Sequence, residues 1–381
     1  MKAYFDYAAT TPADNEVVEE MTSYFSEKFG NSASLHSWGR EASKALEISR
    51  ETIADALNVN PHEIVFTSSA TESNNLALKG VAMAHKNKGK HIIISAIEHD
   101  CVMESANFLK KEGFEITKVG IDKEGIVNPE EVRKAIRKDT ILVSVMHANN
   151  EIGTIQPIEG IAKICKEKKV LFHTDAAQTF GKIRIRMDNI DLLTASSHKM
   201  YGPKGAAFLF VKEGTKLIPL LHGGGHEFNL RSSTVNVPAI VGFAKAVKMC
   251  MKEIDKENER LSKLRDRIIS EITSKVSNSF LNGHATKRLP NNVSIRFSRV
   301  EGESILMRLD NQGIAVSTGS ACSSPKLEPS HVLMALGISA AEAHGSIRIS
   351  LGRYTKEEEV DYLLEKLPKI IEDLRKISPM K

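Results

Sequence analysis

The residues with the clearest chemical meaning are Lys199 and Asp175. Lys199 stands in Ser196-Ser197-His198-Lys199-Met200-Tyr201-Gly202-Pro203-Lys204-Gly205, a polar turn after an apolar run ending at Ala195. The apolar-rich run before it, Val170-Leu171-Phe172-His173-Thr174, ends in Asp175-Ala176-Ala177-Gln178. A lysine and an acid at the ends of successive strands suit pyridoxal phosphate. The amine forms a Schiff base with the aldehyde, and the carboxylate keeps the ring nitrogen protonated, so that the ring withdraws electrons. A surface lysine capping a turn is the plainer reading of the same residue, so the other strand ends must decide.

They supply a matching set. After Ile64-Val65-Phe66-Thr67 comes Ser68-Ser69-Ala70-Thr71-Glu72-Ser73-Asn74-Asn75, the opening of a helix. Free N–H groups and hydroxyls there suit a phosphate, or plain N-capping by Ser69 or Thr71. After Ile92-Ile93-Ile94-Ser95 comes Glu98-His99-Asp100. His99 there could stack on a flat cofactor and shuttle protons, or simply cap a loop. After Ile141–Met146 comes His147-Ala148-Asn149-Asn150-Glu151-Ile152-Gly153, where an asparagine could bond a phenolic oxygen or make a turn. Asp175 with Gln178, then Ser196 with His198 and Lys199, complete the series. In open α/β sheets ligands bind beyond the carboxyl ends of the strands. Phosphate, stacking, ring-oxygen, ring-nitrogen and aldehyde partners at such ends are hard to assemble by chance.

The four cysteines form no CxxC pair, which disfavours a structural zinc site and fits a reducing cytoplasm. Cys165 and Cys250 fall in apolar helical patterns and read as core. Cys101 follows the Glu98-His99-Asp100 turn and reads as helix packing, with a site role open. Cys322 differs. Its surroundings, Ser317-Thr318-Gly319-Ser320-Ala321-Cys322-Ser323-Ser324-Pro325, are small, polar and turn-forming, which suits a functional thiol better than packing. In His222-Gly223-Gly224-Gly225-His226-Glu227 the three glycines make a helical zinc pair unlike this sequence, and a close-approach loop is preferred. Arg348 and Arg353, in Ser346-Ile347-Arg348-Ile349-Ser350-Leu351-Gly352-Arg353, could clamp a substrate carboxylate or make surface ion pairs.

These side chains need a rigid frame. Seven apolar strand candidates (64–67, 92–95, 115–119, 141–146, 170–173, 192–195, 206–211) alternate with amphipathic patterns such as Asn128 to Arg137 and Gly160 to Lys168. The fold expected is α/β: a mostly parallel seven-stranded sheet covered by helices, joined to a smaller α+β domain. A long charged helical pattern from about Ile240 to Val276 reads as a connector. The expected division is 15–255 as the large cofactor-binding domain, with 1–14 and 256–381 as the small domain carrying the Cys322 loop.

At 381 residues, two domains are the default. The net charge of +4 without basic blocks gives no reason to expect nucleic acid or a membrane surface. No apolar stretch approaches the ~20 residues of a bilayer span. The first residues, Met1 to Asp6, carry no signal or transit pattern, so a cytoplasmic protein is expected.

Taken in order, the motifs resemble the cysteine desulfurases of the NifS/IscS type, in the class V aminotransferase group of fold type I pyridoxal phosphate enzymes. They are Tyr4-Phe5-Asp6-Tyr7-Ala8-Ala9-Thr10-Thr11-Pro12, Ala70–Asn75, Glu98-His99, Asn149–Gly153, Asp175–Gln178, Ser197–Gly205, His222–Glu227, Arg231-Ser232-Ser233-Thr234, Gly319–Cys322 and Ile347–Arg353. The resemblance implies that Ala70, Thr71, Ser196 and His198 hold the phosphate, with Thr234 reaching the phosphate of the other subunit of a homodimer. It implies His99 on the ring face, Asn150 and Gln178 at the ring hydroxyl oxygen, and Asp175 at the ring nitrogen. Lys199 would be the Schiff-base lysine, Cys322 the sulfur-accepting nucleophile, and Arg348 with Asn150 the substrate contacts. L-cysteine would become alanine, leaving a persulfide on Cys322 for an iron–sulfur scaffold protein or another sulfur carrier, with His99 as acid/base. No metal ligand is expected except Cys322, a candidate ligand of a transient cluster. Two positions depart from the family pattern: Ser32 replaces a proline in Asn31-Ser32-Ala33-Ser34, and Ser233 replaces a glycine. A selenocysteine lyase, an aminotransferase and a non-catalytic scaffold of the same fold are the competing readings.

Overall fold

The computed structural model describes residues 1–318 and 329–378. Its strands are β1 (Ala3–Tyr4), β2 (Ile64–Thr67), β3 (His91–Ser95), β4 (Glu115–Val119), β5 (Thr140–Ser144) and β6 (Leu171–Asp175). They continue with β7 (Leu192–Ser196), β8 (Ala207–Val211), β9 (Ser279–Leu281), β10 (Asn292–Phe297), β11 (Ile314–Ala315) and β12 (Ser346–Ser350). The run Ile92-Ile93-Ile94 suits a strand covered on both faces, and all three side chains are fully buried in β3.

The large sheet has the order β2-β8-β7-β6-β5-β3-β4. β8 is antiparallel to both its neighbours and every other pairing is parallel. β2, β3, β5, β6 and β7 therefore all point the same way, and their carboxyl ends open on one edge of the sheet. This is the mostly parallel seven-stranded sheet that the apolar runs predict. Some boundaries differ. β6 extends to Asp175, so the acid is the last residue of the strand rather than the start of the loop. The Asn128–Arg137 pattern forms a helix only over Pro129–Ala135, with Asn128 as its N-cap.

The helices that cover the sheet include α1 (Asn15–Ser26), α2 (Ser37–Leu57), α3 (Ala70–Asn75), α4 (Val81–His85) and α5 (Asp100–Lys111). A π-helical turn, Leu76–Gly80, joins α3 to α4 with helical dihedrals at Asn75, Leu76, Gly80 and Val81, so the run from Ala70 to His85 is one helix with a bulge. Next come α6 (Pro129–Ala135), α7 (Ile158–Lys168) and the long α8 (Val237–Lys275). The first half of α8 packs Ile240, Phe243, Val247 and Cys250 into the cluster beneath the large sheet. Its second half packs Leu261, Leu264, Ile268 and Ile272 against β10, β12 and the C-terminal helix Glu357–Ile377. The chain position 255–256 lies inside this continuous helix.

The first residues run as a strap between this sheet and a three-stranded sheet of order β12-β10-β9. β1 pairs in parallel with β11, and Phe5 exchanges backbone bonds with Ala315 and Ser350. The Ala8 N–H then donates to Ser350 Oγ at 2.8 Å. Beyond it the strap reaches the turn after β7: Thr11 N–H donates to the His198 carbonyl, and Asp14 N–H to that of Tyr201, both at 2.9 Å.

The glycine-rich segment leads into a left-handed turn. Glu227, Phe228 and Asn229 have φ of 48°, 58° and 64°, a conformation that costs L-residues about 1–2 kcal/mol each. Glu227 holds it in place. Its carboxylate takes two bonds from Arg50 at 2.8 Å each and one from Phe66 N–H at 2.8 Å. Both side chains are largely withdrawn from solvent, at 12% and 3% exposure. Removing either partner strands a buried charge. Glu227→Ala and Arg50→Ala are each expected to cost about 3 kcal/mol in urea unfolding, and the double variant less than the sum of the two.

Candidate functional site

Lys199 ends the short turn Ser197–Lys199 that follows β7. The turn is tight: a Cβ on Gly202 would sit 2.0 Å from Ser197 Oγ, which excludes any larger residue there. Lys199 Nζ donates to the backbone carbonyls of Ala8 at 2.8 Å and Ala9 at 2.6 Å. Both acceptors belong to the N-terminal strap.

Asp175 ends the neighbouring strand β6 and is 6% exposed. One carboxylate oxygen takes the Ala177 N–H at 2.9 Å and the other takes the Asn74 amide at 2.6 Å. The fully buried Asn74 also donates to Cys101 Sγ at 3.1 Å. Cys101 in turn lies 3.1 Å from His99 Nδ1, and that nitrogen accepts the Cys101 N–H as the N-cap of α5. Cys101, left open between packing and site, is thus half-buried against the site. Cys165 and Cys250 are buried in the core.

The opposite end of the cleft carries the groups expected to meet a phosphate. Ala70 and Thr71 form the first turn of α3, whose N-cap Ser69 accepts the Glu72 N–H at 3.1 Å. Glu72 pairs with Arg231 at 2.8 Å, which brings the Arg231–Thr234 loop beside this turn. Thr234 itself is exposed. Ser233, the residue in place of the family's glycine, has φ of 155°, a region where glycine is at ease and serine is strained. Ser196 Oγ is buried without a hydrogen-bond partner. His198 Nδ1 lies 3.1 Å from Thr10 Oγ1. Burial first, then Lys199, Lys204 and Lys182, push His198 down to about 4, so the ring is neutral at pH 7.

Gln178 donates its amide to the Ala8 carbonyl at 2.9 Å. Asn150 is half-buried and its backbone carbonyl accepts from Arg348 at 3.2 Å. Arg348 is 4% exposed and pairs with Asp6 at 2.9 Å, while its Nε is buried without a partner. The expected clamp is therefore already half engaged by an internal carboxylate. Cys322 lies outside the described residues, but both flanks of its segment meet the site. Ser317 exchanges backbone bonds with Arg348. Ser330 Oγ donates to Glu151 at 2.5 Å, and His331 Nε2 lies 3.0 Å from the Glu98 carbonyl.

Sequence reasoning singled out the strand-end groups and missed the residues that hold them. Asp6, the Ala8 and Ala9 carbonyls and Thr10 sit in the motif Tyr4–Pro12, and Asn74 in Ala70–Asn75, both noted but without roles. Lys182 and Glu98 also escaped. Glu98 carries the signal of a polar residue directly beside His99.

The class-V aminotransferase pattern matches residues 3–363 of this sequence. The chain belongs to the class-V aminotransferase family. It is 54% identical to the cysteine desulfurase IscS of Dictyoglomus turgidum, over 100% of this chain and 97% of the relative. It is 53% identical to cysteine desulfurase IscS 1 of Archaeoglobus fulgidus, over 99% of each. Among solved structures, a NifS-like protein superposes with a TM-score of 0.92 at 41% identity, covering 98% of this chain and all (100%) of the other. SspA in complex with cysteine superposes at 0.84 with 39% identity, covering 93% and 100%. Class V aminotransferases and IscS enzymes depend on pyridoxal phosphate. The residues present fit that group: the partnerless Ser196 hydroxyl suits a phosphate oxygen, and the buried Asp175 carboxylate suits a protonated ring nitrogen.

Three polar groups buried near the strand ends are kept uncharged at pH 7. Burial pushes His147 down to about 4 and His173 down to about 3. Burial pushes Glu98 up to about 8, against hydrogen bonds from Ser95 and Met146. Because the folded value lies above the unfolded 4.5, the neutral acid stabilises the fold fully below about pH 4.5 and loses that contribution as pH rises through about 8. Glu98→Gln is expected to gain on the wild type in urea midpoint as the pH is raised from about 6 to about 9.

Proposed function

We infer that this protein is a pyridoxal phosphate-dependent cysteine desulfurase, which converts L-cysteine to L-alanine and passes the sulfur to Cys322 as a persulfide. The observation that carries the reading is Lys199 at the end of β7 with Asp175 at the end of the adjacent parallel strand β6, on one sheet edge. The 46–54% identity to IscS desulfurases over the whole chain supports the substrate.

When bound, pyridoxal phosphate supplies an aldehyde for an amine and a protonated ring that accepts electrons from the substrate carbon. The chain's residues do the rest. Ala70, Thr71, Ser196 and His198 hold the phosphate, with Thr234 from a second copy. Asp175 faces the ring nitrogen, held by Asn74 and the Ala177 N–H. His99 would stack on the ring face, with Asn150 and Gln178 holding the ring hydroxyl. Arg348 binds the substrate carboxylate, which must share the guanidinium with Asp6. Lys199 Nζ takes the Cα proton of cysteine. His99 accepts the proton of a thiol, and the Cys322 thiolate attacks the substrate sulfur. An S–S bond forms and the C–S bond breaks; its electron pair stays with the carbon, which gains a proton and leaves as alanine.

The same reading includes a homodimer, residues 15–255 as the cofactor-binding unit, and residues 1–14 with 256–381 as the smaller unit. An iron–sulfur scaffold protein is the proposed acceptor, and Cys322 a candidate ligand of a transient cluster. The cytoplasm suits three described cysteines that are all free thiols. No described helix is long and apolar enough to cross a membrane.

The test is direct. With L-cysteine and a reductant, the wild type should form alanine and sulfide, and show a persulfide on the Cys322 peptide by mass spectrometry. Lys199→Ala and Cys322→Ala should each lose at least about a hundredfold in alanine formation. Wild-type rates in Cys322→Ala would remove that thiol from the reaction.

A further inference from the structure

Arg348 is held in place before any substrate arrives. On β12 it faces Ser294 of β10, and its N–H donates to the Ser317 carbonyl at 2.6 Å. Its guanidinium is fixed as well. Nη1 donates to the Asn150 carbonyl at 3.2 Å and Nη2 to Asp6 Oδ1 at 2.9 Å. Nε is buried with no hydrogen-bond partner among the described residues. The Arg348 side chain is 4% exposed and that of Asp6 21%.

Asp6 is placed by the strap. Phe5 before it bonds Ala315 and Ser350, and Ala8 after it donates to Ser350 Oγ at 2.8 Å. The Asp6 carbonyl accepts the Ala9 N–H at 3.0 Å and the Tyr4 hydroxyl at 3.1 Å. Backbone held at this many points brings the carboxylate to Arg348 with little freedom to swing away. Among the described residues, Asp6 is the carboxylate that pairs with Arg348. Glu151 nearby is turned to the Ser330 hydroxyl, and burial raises its pKa, which favours the uncharged acid.

A guanidinium holds a carboxylate best along one edge, through two parallel N–H···O bonds. Nε and Nη2 share such an edge. Asp6 already holds Nη2, so a substrate carboxylate arriving there gains Nε and meets a second negative charge on the same cation. Like charges set side by side weaken binding, the more so where water screens them poorly. Substrate and product both carry a carboxylate, so an arginine with no internal counter-charge would grip alanine as firmly as cysteine.

We propose that Asp6 is a positioning residue that acts through Arg348: it competes with the carboxylate of a bound amino acid for the guanidinium, weakens the hold on that carboxylate, and so eases the release of alanine. The proposal rests on Arg348 being the carboxylate contact of the reaction above.

The full-length protein loaded with pyridoxal phosphate is titrated with L-alanine and, separately, with L-alaninamide, which keeps the amine and the methyl group but lacks the carboxylate. Binding is read from the change in visible absorbance, and the ratio of the two dissociation constants isolates the carboxylate. Asp6→Asn keeps an oxygen for Nη2 and removes the charge. It should tighten L-alanine by about tenfold and leave L-alaninamide unchanged. Asp6→Ser should move the ratio in the same direction, and a role in folding alone would move both ligands together. With L-cysteine, Asp6→Asn should lower KM more than it changes kcat. Circular dichroism confirms that each variant is folded, and if one is not, the other is read. A folded uncharged variant that keeps the wild-type ratio, or that binds L-alanine more weakly, overturns the proposal. Arg348→Gln should weaken L-alanine by at least about tenfold relative to L-alaninamide. A wild-type ratio in Arg348→Gln removes Arg348 as the carboxylate contact, whereas an unchanged Asp6→Asn beside a weakened Arg348→Gln overturns the role of Asp6 alone.

Discussion

Two backbone carbonyls, those of Ala8 and Ala9, hold the Lys199 ammonium at 2.8 and 2.6 Å, and the rest of the site is arranged around that contact. The acceptors are contributed by the first residues of the chain, about 190 positions away in sequence. The strap that carries them is tied to β11 and β12 at one end and to the His198–Tyr201 turn at the other. It joins the seven-stranded sheet to the three-stranded sheet β12-β10-β9 at the point where the Lys199 amine sits. Gln178 adds its amide to the same Ala8 oxygen, and Thr10 approaches the His198 ring. A displacement of the strap would therefore move the Lys199 amine, the Gln178 amide and the His198 ring together.

The sheet sets the second constraint. Parallel strands place their carboxyl ends on one edge, and in this chain that edge collects Thr67, Ser95, Ser144, Asp175 and Ser196. Parallel strands are buried on both faces, so the polar residues just behind the edge have little access to water. His173 meets this by bonding Ser144 and Thr194, and Glu98 by bonding Ser95 and Met146, each in its neutral form. The strand ends keep charged groups as well: Asp175, held by Asn74 and the Ala177 N–H, and Arg348, paired with Asp6.

Much of this was legible beforehand. Apolar runs such as Ile92–Ile94 define buried strands by composition alone, and the change from strand to polar turn at Ala195 marks Lys199 without any coordinates. The places of Asp175, His99 and Ser196 at or just after strands were legible the same way, because position along a strand is a local property. The partners were not. Asn74 reaches Asp175 across 101 residues and Asp6 reaches Arg348 across 342, and no local pattern encodes such a pairing. Ser233 lies between the two cases: its departure from glycine was visible in the motif, but only the dihedral of 155° shows that the position favours glycine.

Periodicity and turn chemistry act over a few residues, so the sequence by itself determined the strands, most of the helices and which polar side chains stand at their ends. Which groups face one another depends on strand order, on the path of the strap and on burial. Those follow from packing the whole chain, and only the tertiary structure decided that Lys199 rests on Ala8 and Ala9, that Arg348 is paired with Asp6, and that Asn74 holds Asp175.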